Sequence, residues 1–178
     1  LQLRREIAAY LERRFDLRYD HAGQILVTVG GSEAIDLALR VLVDPGDEVI
    51  VPAPSFVCYG PLAEMAGGVP KYLELKAENQ FRLTPEELKA AITEKTKVLV
   101  LPFPCNPTGG TMDRKDLEAV AQVLEGTDIM VISDEIYAEL TYGRRHVSPA
   151  NLTGMYDRTV VVNGFSKSHA MTGWRMGY

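Results

Sequence analysis

Apolar, β-branched runs recur along the chain at nearly even spacing: QILVTV (24–29), DEVIVP (47–52), VPKYLEL (69–75), TKVLVLP (96–102), DIMVIS (128–133) and RTVVVN (158–163). Between them lie SEAIDLALRVLV, the stretch around FVCYGPLAEMA, TPEELKAAI and DRKDLEAVAQVL, where apolar residues return at helical spacing. Strands that are apolar throughout must be covered on both faces, and intervening helices provide that cover. The pattern therefore predicts an α/β fold of three layers, α/β/α, around a mostly parallel sheet. Local signals agree: Thr84 and Glu87 around Pro85 read as a capping box, Asp113 as another helix start, and Gly67 and Gly68 as a helix end. The opening segment LQLRREIAAYLERRFDLRYD places Leu3, Ile7, Leu11 and Phe15 on one helix face.

Composition removes several classes. At 46% hydrophobic and 24% charged, the chain of 178 residues is too apolar to be disordered. No apolar run approaches the roughly 18 residues of a membrane-spanning helix. The net charge, 19 minus 24 or −5, speaks against a nucleic-acid partner, which needs clustered cations. Arg4, Arg5, Arg13, Arg14 and Arg18 do cluster, but on the polar side of the first helix, where a solvated face explains them. Cys58 and Cys105 lie far apart with no CxxC spacing and read as reduced thiols of a cytoplasmic protein. His21, His146 and His169 lack metal-ligand spacing and read as surface or packing residues; no metal site is expected.

In doubly covered parallel sheets, ligands sit beyond the carboxyl ends of the strands. The residues there carry chemistry: Gly30, Gly31, Ser32 and Glu33; Ser55 and Phe56; Cys105 and Asn106; Asp134 and Tyr137; Ser166 and Lys167, with Arg175 eight positions on. GGSEAIDL leads directly into a helix, whose free N–H groups suit a phosphate, although it is equally an ordinary strand-to-helix turn. Asp134 ends an apolar strand, where a carboxylate must be paired, solvated in a cleft, or used as a helix cap. A lysine in such a crevice can act as an amine nucleophile, whereas one in a plain loop is a solvated charge. Together, a phosphate turn, an amine, a buried acid, an arginine and neutral hydrogen-bond groups meet the needs of pyridoxal 5′-phosphate, with its phosphate, aldehyde, phenolic oxygen and ring nitrogen. A competing pattern is GFSKS around Ser166, close to the GxSxG elbow of hydrolases, but no acid follows it as that triad order requires. Trp174 reads as a packing residue, while Tyr59 and Tyr142 have no assigned place.

VTVGGSEAIDLAL, LVDPGDEVIVPAPSFVCY, NPTGG, SDEIYAEL and NGFSKSHAMTGWRMGY resemble, in that order and over nearly the whole chain, the class I/II pyridoxal-phosphate-dependent aminotransferases of fold type I. The similar branch holds the bacterial aspartate and aromatic aminotransferases. The resemblance implies ping-pong transfer of an amino group from an L-amino acid to a 2-oxo acid through a Schiff base on Lys167. It implies that Asp134 pairs with the ring nitrogen and that Asn106 and Tyr137 reach the phenolic oxygen. Gly31, Ser32, Glu33, Ser166 and Arg175 would hold the phosphate, and Phe56 would stack on the ring. Lys167, Asp134 and Tyr137 are thus the expected catalytic residues, in a homodimer with neither nucleic-acid nor membrane partners. It further implies that residues 1–178 form one cofactor-binding large domain, shortened at both ends and without the small domain that carries the carboxylate-binding arginine. Binding without turnover is the alternative that follows.

Overall fold

The computed structural model describes all residues, 1–178. Five strands, β1 (Glu48–Ala53), β2 (Val69–Glu74), β3 (Thr96–Leu101), β4 (Met130–Asp134) and β5 (Thr159–Val162), form one sheet in the order β2-β1-β3-β4-β5, and each neighbouring pair is parallel. Five helices accompany them: α1 (Gln2–Phe15), α2 (Gly31–Leu42), α3 (Tyr59–Met65), α4 (Pro85–Ala91) and α5 (Arg114–Leu124). Pro52 has no N–H to donate, and it stands where β1 has already left its ladder with β3, which ends at the Ile50–Leu99 pair.

Strand alternation divides the core into two layers. Val49, Val51, Val98, Val100, Ile132 and Val162 point toward Ile35 and Leu39 of α2 and Tyr59 and Ala63 of α3. Ile50, Leu99, Leu101 and Val131 point the other way, toward Leu88 of α4 and Leu117, Val120 and Leu124 of α5. Each fully buried leucine or isoleucine contributes about 1.5–3 kcal/mol through burial, so both helical layers are held firmly to the sheet. Both expected helix starts are capping boxes: Thr84 Oγ1 accepts from Glu87 N, and the Asp113 carboxylate accepts from Asp116 N.

A third cluster packs α1 against the loops that follow β4 and β5, using Ile7, Leu11 and Phe15 with Leu17, Ile25, Ala138 and Tyr178. The helix stops at Asp16, in the left-handed conformation (φ 57°), and Leu17 N then donates to the Leu11 carbonyl in the manner of a Schellman turn. The arginines lie on its outer side. Arg14 pairs with Glu139 and Arg18 with Glu12, while Arg4 and Arg5 reach the Ala22 carbonyl and His21. No helix is long and apolar enough to cross a membrane.

One expected strand is corrected. Residues 24–29 form no ladder: only Thr28 pairs, exchanging both backbone hydrogen bonds with Gly177, and Gly177 also bridges Gly164. Leu26 and Val29 stay exposed, at 63% and 60%. Apolar alternation signals that a segment suits a strand, but a strand needs a partner along its length, and the Gly177 segment meets this one at a single residue.

Candidate active site

Because all five strands run in parallel, their carboxyl ends share one edge of the sheet. The loops that leave them enclose a cavity of about 180 Å³, lined by Gly31 and Ser32 from α2, Phe56 and Tyr59 from the β1–α3 turn, and Asn106 from the loop after β3. Asp134 and Tyr137 from the end of β4, and Ser166, Lys167 and Arg175 from the C-terminal segment, complete it. A separate apolar cavity of about 460 Å³, between α2 and residues 24–28, gathers no comparable set of reactive groups.

Asp134 is the most constrained of these groups. It is buried, accepts from the Tyr59 hydroxyl at 2.7 Å and from Ile136 N at 3.2 Å, and meets no lysine, arginine or histidine. A carboxylate has about four lone-pair sites, so two donors leave it under-satisfied. Burial pushes its carboxyl above the usual range, and the hydroxyl of Tyr59 only partly offsets this. The same carboxylate and burial drive the Tyr59 phenol upward, fixing the hydroxyl as a donor, and lift the neighbouring Cys58 thiol to about 12. Such a carboxylate is prepared for a cationic partner from outside the chain.

The second pole is the start of α2. Its first N–H groups have no intrahelical acceptor, and the dipole adds positive character there. Arg175 lies against this turn. Gly30, at φ +82°, leaves no room for a Cβ beside the Arg175 guanidinium, so glycine permits both the backbone conformation and the approach. Gly177 is needed for the same reason: a Cβ there would overlap the backbone of Gly30 and Gly31. Arg175 Nη1 also donates to the Thr172 carbonyl at 3.1 Å, and Thr172 Oγ1 to that of Ser166 at 2.9 Å, tying this segment to the cavity floor. A turn of unpaired N–H groups beside a guanidinium is suited to a phosphate.

Between the poles, Lys167 is solvent-accessible, with its Nζ 5.8 Å from the centre of the Tyr137 ring. Phe56, 40% exposed, meets Tyr59 edge to face at 6.2 Å. The cavity therefore offers an amine, a neutral hydroxyl and amide, and a flat apolar wall between an anion-binding turn and an unpaired acid.

Of the residues expected from the sequence, Glu33 alone lies outside the cavity lining. Its side chain turns back to accept from Val29 N at 2.5 Å, which leaves only its backbone N–H to face an anion. Trp174, expected to pack, is 70% exposed. Tyr59 was not placed by sequence, although its position at the first turn of α3, just beyond β1, is a signal that structure turns into a contact. Tyr142 is 89% exposed and lines a neighbouring cavity that shares Asn106 and Tyr137 with the first. Ser166 has no histidine partner; His169 pairs instead with Ser168, so the hydrolase arrangement is not formed. His146 takes the packing alternative: its side chain is 7% exposed and pairs with Glu135. Both cysteines are free thiols.

Comparison with known proteins places this geometry. The whole chain, residues 1–178, matches the family described as aminotransferase class I and II. It is 44% identical over 178 residues to an aspartate aminotransferase of Pyrococcus abyssi, covering 99% of this chain and 46% of that protein. It superposes with TM-score 0.96 and 43% identity on the crystal structure of an aromatic aminotransferase from Pyrococcus horikoshii OT3, covering 98% of this chain and 47% of that one. The corresponding values for N-succinyldiaminopimelate aminotransferase of Mycobacterium tuberculosis are 0.95, 37%, 98% and 46%. The chain thus spans less than half the length of these relatives. From the strand-end chemistry, the sheet that assembles it and the match along its full length, this chain belongs to the class I and II aminotransferase family.

Proposed function

We propose that this chain is the cofactor-binding large domain of a pyridoxal 5′-phosphate-dependent aminotransferase, which passes an amino group from an L-amino acid to a 2-oxo acid in two ping-pong half-reactions. The observation that carries this reading is Asp134: a buried carboxylate with no cation in the chain, in the same cavity as Lys167 and Arg175. The donor set fits the cofactor. The N–H groups of Gly31, Ser32 and Glu33, with Ser166 and Arg175, would hold its phosphate; Asn106 and Tyr137 its phenolic oxygen; Asp134 its ring nitrogen; and Phe56 would cover its face. When bound, the cofactor supplies an aldehyde that takes up the amino group and a protonated ring that withdraws electrons from the substrate Cα.

The chain's own residues provide the remainder. Asp134, held by Tyr59, would pair as a carboxylate with the ring nitrogen and so favour the protonated ring. Lys167 Nζ would hold the cofactor's aldehyde end, and as a free amine it would be the base that takes a proton from the substrate Cα. Tyr137, whose ring lies 5.8 Å from that amine, would donate a hydrogen bond to the phenolic oxygen. Arg175 fixes the phosphate with a planar fork that a lysine could not reproduce. Free thiols at Cys58 and Cys105 suit a reducing, cytoplasmic setting, and the relatives' family supports a homodimer. Aspartate, aromatic amino acids and acylated diaminopimelate-type compounds are the substrate classes in view.

A second reading is cofactor binding without turnover by residues 1–178 alone. Incubation with pyridoxal 5′-phosphate, borohydride reduction and peptide mass mapping test the first step. The cofactor mass is expected on Lys167 and absent from Lys167→Ala; labelling spread over surface lysines would overturn the assignment. A glutamate half-reaction, compared between this chain and a longer version, then separates turnover from binding.

A further inference from the structure

The residue after Asp134 has no part in that chemistry, yet it is a buried carboxylate with three side-chain partners. Strand alternation sends Glu135 away from the cavity, into a second polar cluster on the opposite side of β4. Its Oε1 accepts from Ser133 Oγ at 3.0 Å and Ser148 Oγ at 2.6 Å, and its Oε2 lies 2.8 Å from His146 Nε2. Its backbone N–H donates to the Val162 carbonyl at 2.8 Å and its carbonyl accepts from Ala138 N at 2.9 Å. The cluster is closed to solvent: Glu135 is 1% exposed, Ser148 0% and Ser133 2%, and the His146 ring packs edge-on against Phe15 of α1.

This cluster ties together three stretches: the end of β4, the loop 146–148 and, through Phe15, helix α1. All of them meet behind the turn Asp134–Glu135–Ile136–Tyr137, whose front face supplies two of the groups assigned above to the cofactor. We propose that Glu135 is a positioning residue: held by Ser133, His146 and Ser148 behind β4, it fixes the turn that presents Asp134 and Tyr137 to the cavity and sets the electrostatic surroundings of Asp134. Its functional meaning rests on the cofactor assignment; its effect on Asp134 does not. Asp134 touches the Tyr59 hydroxyl and is reached through space by the Cys58 and Cys105 thiols and by the Glu135 carboxylate behind the strand; Glu135 is the neighbour whose charge can be removed without altering the lining of the cavity.

The test uses this chain with Glu135→Gln, which keeps the shape and the serine hydrogen bonds, with Ser148→Ala, which removes one clamp, and with the remote core variant Leu124→Ala as a control for stability alone. Carboxyl-detected NMR follows the Asp134 titration without cofactor, and Trp174 fluorescence reads pyridoxal 5′-phosphate binding. Glu135→Gln is expected to move the Asp134 titration downward and to weaken cofactor binding about tenfold, the equivalent of one pKa unit. Ser148→Ala is expected to do the same in smaller measure, and Leu124→Ala to change neither. An Asp134 titration in Glu135→Gln equal to the parent's, or an equal shift in Leu124→Ala, would overturn the proposal. If no variant and not the parent binds the cofactor while the Asp134 titration still moves, positioning stands and the cofactor assignment falls.

Discussion

Asp134 and Glu135 are adjacent carboxylates on either side of the end of β4, and they have opposite thermodynamic roles. Glu135 meets two hydroxyls and an imidazole, so its burial closes a network. Asp134 meets a phenol and one amide N–H, and burial works against its charge. One side of the strand stabilises the fold; the other holds binding capacity at a cost in stability. The contrast shows how a site can hold an under-satisfied acid: the supporting energy comes from its neighbour one residue away, across the sheet.

Four substitutions test the contrast, from the largest effect to the smallest. Asp134→Asn should lower the transamination proposed above about a hundredfold or more, the scale of losing one preorganised electrostatic partner. The same change should raise the melting temperature of the cofactor-free chain at neutral pH. The sign follows from linkage. A carboxyl whose folded pKa is raised favours folding below its unfolded pKa and ceases to do so as pH rises through the folded value, so the parent loses stability there and the amide does not. If the amide lowered the melting temperature instead, Asp134 would be a structural group like its neighbour. Glu135→Ala should act in the reverse sense, with urea denaturation showing a loss of about 3 kcal/mol from a broken buried network.

Tyr59→Phe removes one donor to Asp134 and should weaken cofactor binding about tenfold, as for one hydrogen bond to a charged group; fluorescence titration reads this directly. The smallest effect belongs to Glu139, which accepts from Tyr10 at 2.7 Å and from Arg14 at 2.8 Å near the surface. Arg14 holds its carboxyl down at about 2, against an ordinary 4.5. Its contribution is therefore complete above pH 4.5 and fades as pH falls toward 2. Glu139→Gln should cost about 1 kcal/mol or less at neutral pH and nothing at the acid end. A loss as large as that of Glu135→Ala would erase the distinction between buried and surface carboxylates.

Most of the sheet was legible because a strand covered on both faces carries its own signature: residues 98–101 and 130–132 are each an unbroken apolar run, and in β4 polar groups enter only at its carboxyl end. Segment 24–29 carried the same signature and formed one bridge, since pairing depends on a partner distant in sequence. Residues that line the cavity were legible where the motif itself places them beyond a strand end, as with Asn106, Asp134 and Lys167. The Glu33 side chain serves its own helix's turn, accepting from Val29 N, so only its backbone N–H is left to face an anion, a distinction that residue type does not reveal. Tyr59 and His146 were missed because their partners lie 75 and 11 residues away and are met only on packing.

By itself the sequence determined the alternation of strands and helices, the capped helix starts and the order of reactive groups along one sheet edge, all of which follow from local periodicity and short-range hydrogen bonding. Tertiary structure alone decided what Asp134 and Glu135 each face. The layer of α3 brings a single hydroxyl to Asp134, while the loop after β4 brings an imidazole and a serine to Glu135. Partner choice across the core depends on how whole elements pack, and that choice leaves one acid unpaired in a cavity and satisfies the other behind it.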